Sequence, residues 1–203
     1  MSVPMTFRDE LKLQRWDDHR YYHHSKVNQS LHFLSATSFC AAYVYLFIDP
    51  VIAAFLGWIV SMVARQSGHF FFEPKGYDEV NQATHEYKEK IKVGYNLRRK
   101  VVLHIVWAAI PILLYLEPSA FGLVDPYSTP KEYANSLAIL WIGLGIAAIA
   151  FRTIHLFFIL NVQSGLVWCT KILTDPFHDI KLYHAAPLQL LKNFQENHAS
   201  GRA

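Results

Sequence analysis

Four stretches of this 203-residue chain, 31–48, 51–64, 101–116 and 136–151, contain no Lys, Arg, Asp or Glu. A soluble domain does not spread four such windows over so short a chain, because its elements keep one face in water. Charged residues are 17% of the total, below the roughly 25% of soluble domains. Hydrophobic residues are 52%, which excludes a disordered chain. The mean hydropathy of +0.13 is modest only because polar and apolar segments alternate along the chain. A net charge of +3 gives no reason to expect nucleic acid as a partner. Cys40 and Cys169 stand in apolar surroundings without CxxC spacing, so they are expected as buried, inert thiols and not as a disulfide or a zinc site.

The expected fold is all-α: a single integral-membrane domain over 1–203, with four transmembrane helices at about 31–48, 51–72, 101–116 and 136–160. Each approaches the ~20 residues needed to cross ~30 Å of hydrocarbon. Asp49-Pro50 leaves so little chain between the first two that they form a tight helical hairpin. Pro111 predicts a kink in the third span, and Arg152 interrupts the fourth. The first 30 residues are polar and lack the apolar core of a signal peptide. Lys and Arg number five in 1–30, eight in 65–100 and four in 161–203, against one in 117–135. The positive-inside rule therefore puts both termini and the middle loop in the cytoplasm, as four spans require. Two cytoplasmic interfacial helices are expected. One covers Tyr77 to Lys92, with Val80, Tyr87 and Ile91 at helical spacing; the other follows Thr174, with Asp175-Pro176 as a turn or helix start and Leu182, Leu190 and Leu191 beyond it.

On this topology all eleven histidines lie in cytoplasmic segments or in the cytoplasmic halves of spans. A histidine entering the bilayer needs a partner or a task. If the first helix extends back, His24, Asn28 and His32 fall at i, i+4 and i+8 on one face. On the returning helix His69 and Glu73 are i and i+4, at matching depth across the hairpin. Metal sites in helical bundles are built this way, from histidines and carboxylates on facing helices. His24 and His32 would be ~12 Å apart along a straight helix, so a bend, two ions or an indirect role for one of them are all open. His23, next to His24, points about 100° away on a helix, and its role as a ligand is open as well. A nitrogen and oxygen ligand set without thiolate suits iron, zinc or manganese.

Tyr22-His23-His24-Ser25-Lys26-Val27-Asn28 with Leu31-His32, and Gly68-His69-Phe70-Phe71-Phe72-Glu73, resemble the motifs of a membrane family. That family contains the fungal endoplasmic-reticulum enzyme that degrades 2-hydroxy fatty acids derived from phytosphingosine, and many bacterial members. The resemblance covers about residues 20–75, with a loose continuation through Pro111 to Glu117. Where the family has Pro-Ala-Leu soon after the glutamate, this chain has Lys75-Gly76-Tyr77 and a charged insert. The resemblance implies an iron(II)-dependent dioxygenase that shortens a 2-hydroxy fatty acid by one carbon, with O2 and a lipid acyl substrate from the bilayer. It implies His24, His32 and His69 as iron ligands, with His23, Asn28 and Glu73 as site neighbours. It also implies a bacterial inner membrane or endoplasmic-reticulum location, with the site facing the cytoplasm.

A His-box hydroxylase or desaturase is a weaker match, since His19 and His23 are the one i, i+4 histidine pair. A non-enzymatic membrane scaffold with a structural metal or a histidine cluster is the alternative of a different class. For Arg152, with His155 one turn on, three roles are open: snorkelling to the interface, pairing with Glu73, or receiving a substrate carboxylate at the level of the histidines.

Overall fold

The computed structural model describes residues 5–73 and 75–199, which are helical apart from turns and an isolated bridge between Asp78 and Ala83. The helices are α1 (Phe7–Tyr22), α2 (Lys26–Tyr45), α3 (Pro50–Phe71), α4 (His85–Ile91), α5 (Leu97–Leu116), α6 (Pro130–Ile159), α7 (Val162–Tyr183) and α8 (Ala186–Ala199). Their starts are written locally. Thr6, Ser25, Asp49, Thr84, Asn96, Thr129 and Asn161 each accept a hydrogen bond from a first-turn N–H, and Thr129 with Glu132 completes a capping box.

Three helices, Pro50–Phe71, Arg98–Leu116 and Pro130–Ile159, are long and apolar enough to cross a membrane, which marks an integral membrane protein. The most apolar window of α5 is only 6% buried and that of α6 only 17%, so their apolar surface has lipid, not protein, as its natural neighbour. The expected first span, 31–48, lies in α2, which is not among the three. Its buried side carries Asn28, His32, Ser35, Ser38 and Ala42 and is polar because it faces other helices. Helices α3, α7 and α8 all pack on it.

Small residues set the closeness of α2 and α3. Ala53, Ala54, Gly57, Ser61, Ala64 and Gly68 are the small members of the buried face of α3, the pattern by which helices approach without bulky side chains. Ser61 Oγ donates to the Ser35 carbonyl at 2.8 Å and lies 2.8 Å from Ser35 Oγ. The middle of α3, Phe55–Met62, is wound as a π-helix, a wide turn that recurs near functional sites.

Pro111 leaves the carbonyl of Trp107 without its helical donor. The indole N–H of Trp141 on α6 supplies one at 3.2 Å, and the helix runs on unbroken to Leu116. Trp107 stacks on Trp58 with ring centroids 5.9 Å apart, and Trp58 donates to the Trp141 carbonyl at 2.8 Å. An aromatic column thus ties α3, α5 and α6 together.

At the polar end, α7 packs on α1, α2 and α6. Asp175-Pro176, expected as a turn or helix start, lies inside α7 instead. Buried charges on either side of the proline hold the helix in place: before it Lys171 pairs with Asp18 and with Asp175 (3.0 Å) and Arg15 reaches Asp175 at 3.1 Å, and after it Asp179 pairs with Arg65 at 3.1 Å. The expected interfacial helix over Tyr77–Lys92 is shorter than its spacing suggests. Asp78 accepts from the Asn81 N–H, Gln82 takes φ 48°, and the Asp78–Ala83 bridge closes a turn before α4 begins. Cys40 and Cys169 are free thiols and half-buried, not buried. The side chain of His198 lies outside the described residues.

Candidate metal centre

The chain break between α1 and α2 decides which histidines meet. The His23 N–H closes α1 on the His19 carbonyl at 3.2 Å, and Ser25 caps α2 by accepting from Asn28 N–H at 3.1 Å. His24 is therefore not part of α2, and the expected His24/Asn28/His32 face does not form. His24 is exposed, hydrogen-bonded to the Arg20 carbonyl and 3.7 Å from Asp78. His23 takes its place in the interior.

His23, His32 and His69 are all buried, and one nitrogen from each lies within 4.8 Å of the others. Ligand bonds of about 2 Å put nitrogens sharing one ion within roughly 4 Å of each other, so the triad stands close to a coordinating geometry. In His69 and His23 the other ring nitrogen has a partner of the kind that orients metal-binding histidines. His69 Nδ1 lies 2.7 Å from Glu73 Oε2, and His23 Nδ1 lies 2.7 Å from the Tyr183 hydroxyl, which also reaches His19 Nδ1 at 3.0 Å. With Nδ1 donating in both rings, each Nε2 presents a lone pair. His23 Nε2 and both nitrogens of the fully buried His32 have no hydrogen-bond partner. Leaving such groups unsatisfied costs about 1–3 kcal/mol each, and a metal ion shared by three neutral imidazoles would satisfy one nitrogen of each ring.

Asn28 and Glu73 support the cluster. Asn28 is fully buried, donates to the Tyr22 carbonyl at 2.8 Å, and keeps an unpartnered Oδ1. Gly68 is required beside it, since a Cβ there would collide with Asn28 Oδ1 and press on the His32 ring. Burial pushes the Glu73 carboxyl up, with Lys92 and Lys100 pulling the other way. Lys92 sits 3.6 Å from Glu73 and over the Tyr22 ring. Burial holds the His23 imidazole well below the usual histidine range, with His32 and Arg65 adding to the effect.

Arg152 does not pair with Glu73. It is buried, and its guanidinium binds the Val93 carbonyl (3.1 Å from Nε), the Gly94 carbonyl (3.2 Å) and His155 Nδ1 (2.8 Å). It ties the loop before α5 onto α6, helped by the Tyr95 hydroxyl on the Ala148 carbonyl at 2.7 Å. The guanidinium needs acceptors once buried, and that loop offers carbonyls nearer than any carboxylate.

Sequence reasoning missed the contribution of α7. Tyr183 orients His23, and Asp179, 3.9 Å from His32 Nδ1, is held by Arg65 at 3.1 Å. Lys171, Asp175, Asp179 and Tyr183 recur every fourth residue, a one-face polar stripe that was the available signal.

A cavity of about 460 Å³ adjoins the triad, with His23 and His69 on its wall. Phe39, Trp58, Leu103, Ile149 and Trp168 line it, and it follows α3 from His69 to Ala53, roughly 24 Å at 1.5 Å per residue. Its size falls in the ~300–1,000 Å³ range of small-molecule sites. No family profile, no curated protein and no solved structure matches this chain.

Proposed function

We propose that the protein is a metal-dependent membrane oxygenase in which His23, His32 and His69 hold iron(II), acting on an acyl chain that occupies the adjoining cavity. The observation that carries this reading is the convergence of three buried histidines with unpartnered ring nitrogens at the head of an apolar cavity. The resemblance at Tyr22–His32 and Gly68–Glu73 specifies the substrate as a 2-hydroxy fatty acid, shortened by one carbon. A 2-hydroxy acid and O2 balance to the acid one carbon shorter, CO2 and water, so no further reductant is needed.

Bound iron would supply O2 activation and a Lewis-acid position for the substrate's oxygens. The chain's own residues do the rest. Glu73 and Tyr183 fix the ring orientations of His69 and His23. The apolar wall excludes water and aligns the chain, so that the carbon next to the carboxylate rests beside the triad. The Lys/Arg distribution favours a cytoplasmic side for the site.

The test is metal analysis of gently purified wild type and His69→Ala, followed by aerobic incubation with 2-hydroxypalmitate. The expected result is about one metal ion per wild-type chain and a C15 acid, with both lost in a folded His69→Ala protein. Wild type without a transition metal, or holding metal without consuming substrate, overturns the oxygenase reading. Loss of folding or assembly alone in His69→Ala would favour a scaffold.

A further inference from the structure

The cavity wall carries four cations, Arg65, Lys92, Lys100 and Lys171. Three of them are ion-paired: Arg65 with Asp179, Lys92 with Glu73 and Glu89, and Lys171 with Asp18 and Asp175. Lys100, in the first turn of α5, has no carboxylate within ion-pair distance among the described residues, and its side chain makes no hydrogen bond there. It shares the cavity wall with His23 and His69. His104, one turn on and also on the wall, has a buried Nε2 without a partner. An ammonium inside a largely apolar enclosure is costly without a counter-charge, and a protein that pairs three of four such groups leaves the fourth for something else.

We propose that Lys100 is the anchor for a single carboxylate, so that the cavity's ligand is a free long-chain acid rather than its ester or amide. This deepens the acyl-chain reading and rests on it. One unpartnered cation matches one negative charge, and the apolar wall beyond it accepts the hydrocarbon tail. The loop held by Arg152 contributes Lys92, Val93, Gly94 and Tyr95 to the same wall, which fixes the roof over the anchored group.

The experiment measures equilibrium binding of hexadecanoate, methyl hexadecanoate and hexadecyl phosphate to the full chain in lipid nanodiscs. None of these has a 2-hydroxyl, so binding is read independently of turnover. Wild type is expected to bind the acid roughly tenfold or more tightly than the ester, the size of a charge-assisted contact. Lys100→Met should erase that preference while leaving ester binding unchanged. Equal binding of acid and ester by wild type overturns the anchor, and because it uses the unaltered protein it does not depend on how the variant folds. An acid preference that survives in Lys100→Met overturns it too, and so does a hexadecyl phosphate that binds more than tenfold tighter than the acid. If 2-hydroxypalmitate is not turned over but the acid preference is present and lost in Lys100→Met, the anchor stands and the oxygenase reading alone fails.

Discussion

Two polar clusters meet at one end of the helices, and they differ in how completely they are satisfied. The charged cluster of α1 and α7 is closed: Lys171 reaches Asp18 and Asp175, Arg15 reaches Asp175 and Thr174, and Arg65 reaches Asp179. The histidine cluster beside it is open, with His23 Nε2 and both nitrogens of His32 unpartnered although buried. A closed network locks helices together and binds nothing further. An open one of the same depth keeps buried polar atoms available to a further partner. On the function proposed above, the first cluster holds the helices together and the second is the one a metal ion completes.

The largest effect tests the closed cluster. Lys171→Met leaves Asp18 and Asp175 facing each other without their shared cation, and should cost about 3 kcal/mol, read as a loss of thermal stability of the purified protein. Burial pushes the Asp18 carboxyl up, but Lys171 overrides it and holds the group below its usual value. A lowered carboxylate contributes stability above its unfolded pKa of about 3.9 and loses it as the pH falls through the folded value. The stability difference between wild type and Lys171→Met is therefore expected to stay level from about pH 5 to 8 and to shrink below about pH 4. Folded Lys171→Met should retain wild-type metal content; a variant that loses metal at equal folding would mean that the two clusters are one.

Gly68→Ala probes the packing under the open cluster. The added methyl group must displace Asn28 or the His32 ring, an overpacking cost of roughly 1–3 kcal/mol, and the metal-to-protein ratio should fall with it. Unchanged stability would show that Asn28 can swing aside freely.

Glu73→Gln keeps the shape of the partner of His69 and removes its charge. Metal affinity should drop about tenfold, the low end for a group that orients a ligand, with little change in melting temperature. A competition titration with a chelator measures it, and an unchanged affinity would separate Glu73 from the metal site.

The smallest effect belongs to the lipid-facing half. Trp141→Phe withdraws the indole donor from the Trp107 carbonyl that Pro111 leaves open. The expected cost is about 1 kcal/mol, with metal content untouched. A metal loss here would extend the functional unit along the aromatic column.

Much of this was legible in the order of residues. Charge-free windows mark where helices of membrane length occur, because the length of a hydrocarbon span and the cost of a buried charge are properties of the local segment. The helix starts are equally local, since Ser25, Asn96 and Thr129 cap the backbone within four residues of themselves. His32, His69, Asn28 and Glu73 could be selected because helical spacing sets which of them share a face.

What the tertiary structure decided is everything that depends on a partner distant along the chain. Periodicity carried through the His23–Ser25 break favoured His24, whereas the cap at Ser25 ends one helical register before the next begins, and the site takes His23. Arg152 looked like a partner for an anion because its surroundings along the sequence are apolar; in space it meets the carbonyls of Val93 and Gly94, 58 or 59 residues away. Tyr183 joins His23 across a separation of 160 residues, and among the described residues the fold brings a carboxylate within ion-pair distance of Arg65, Lys92 and Lys171 but not of Lys100. Sequence alone marked the three helices that suit lipid, with 31–48 as a fourth that the fold did not bear out, and the residue types chemically able to hold a metal. Which atoms converge, and which are left without a partner, was settled by packing, because hydrogen bonds and ion pairs are short-ranged and nothing local specifies what the fold brings within 3 Å.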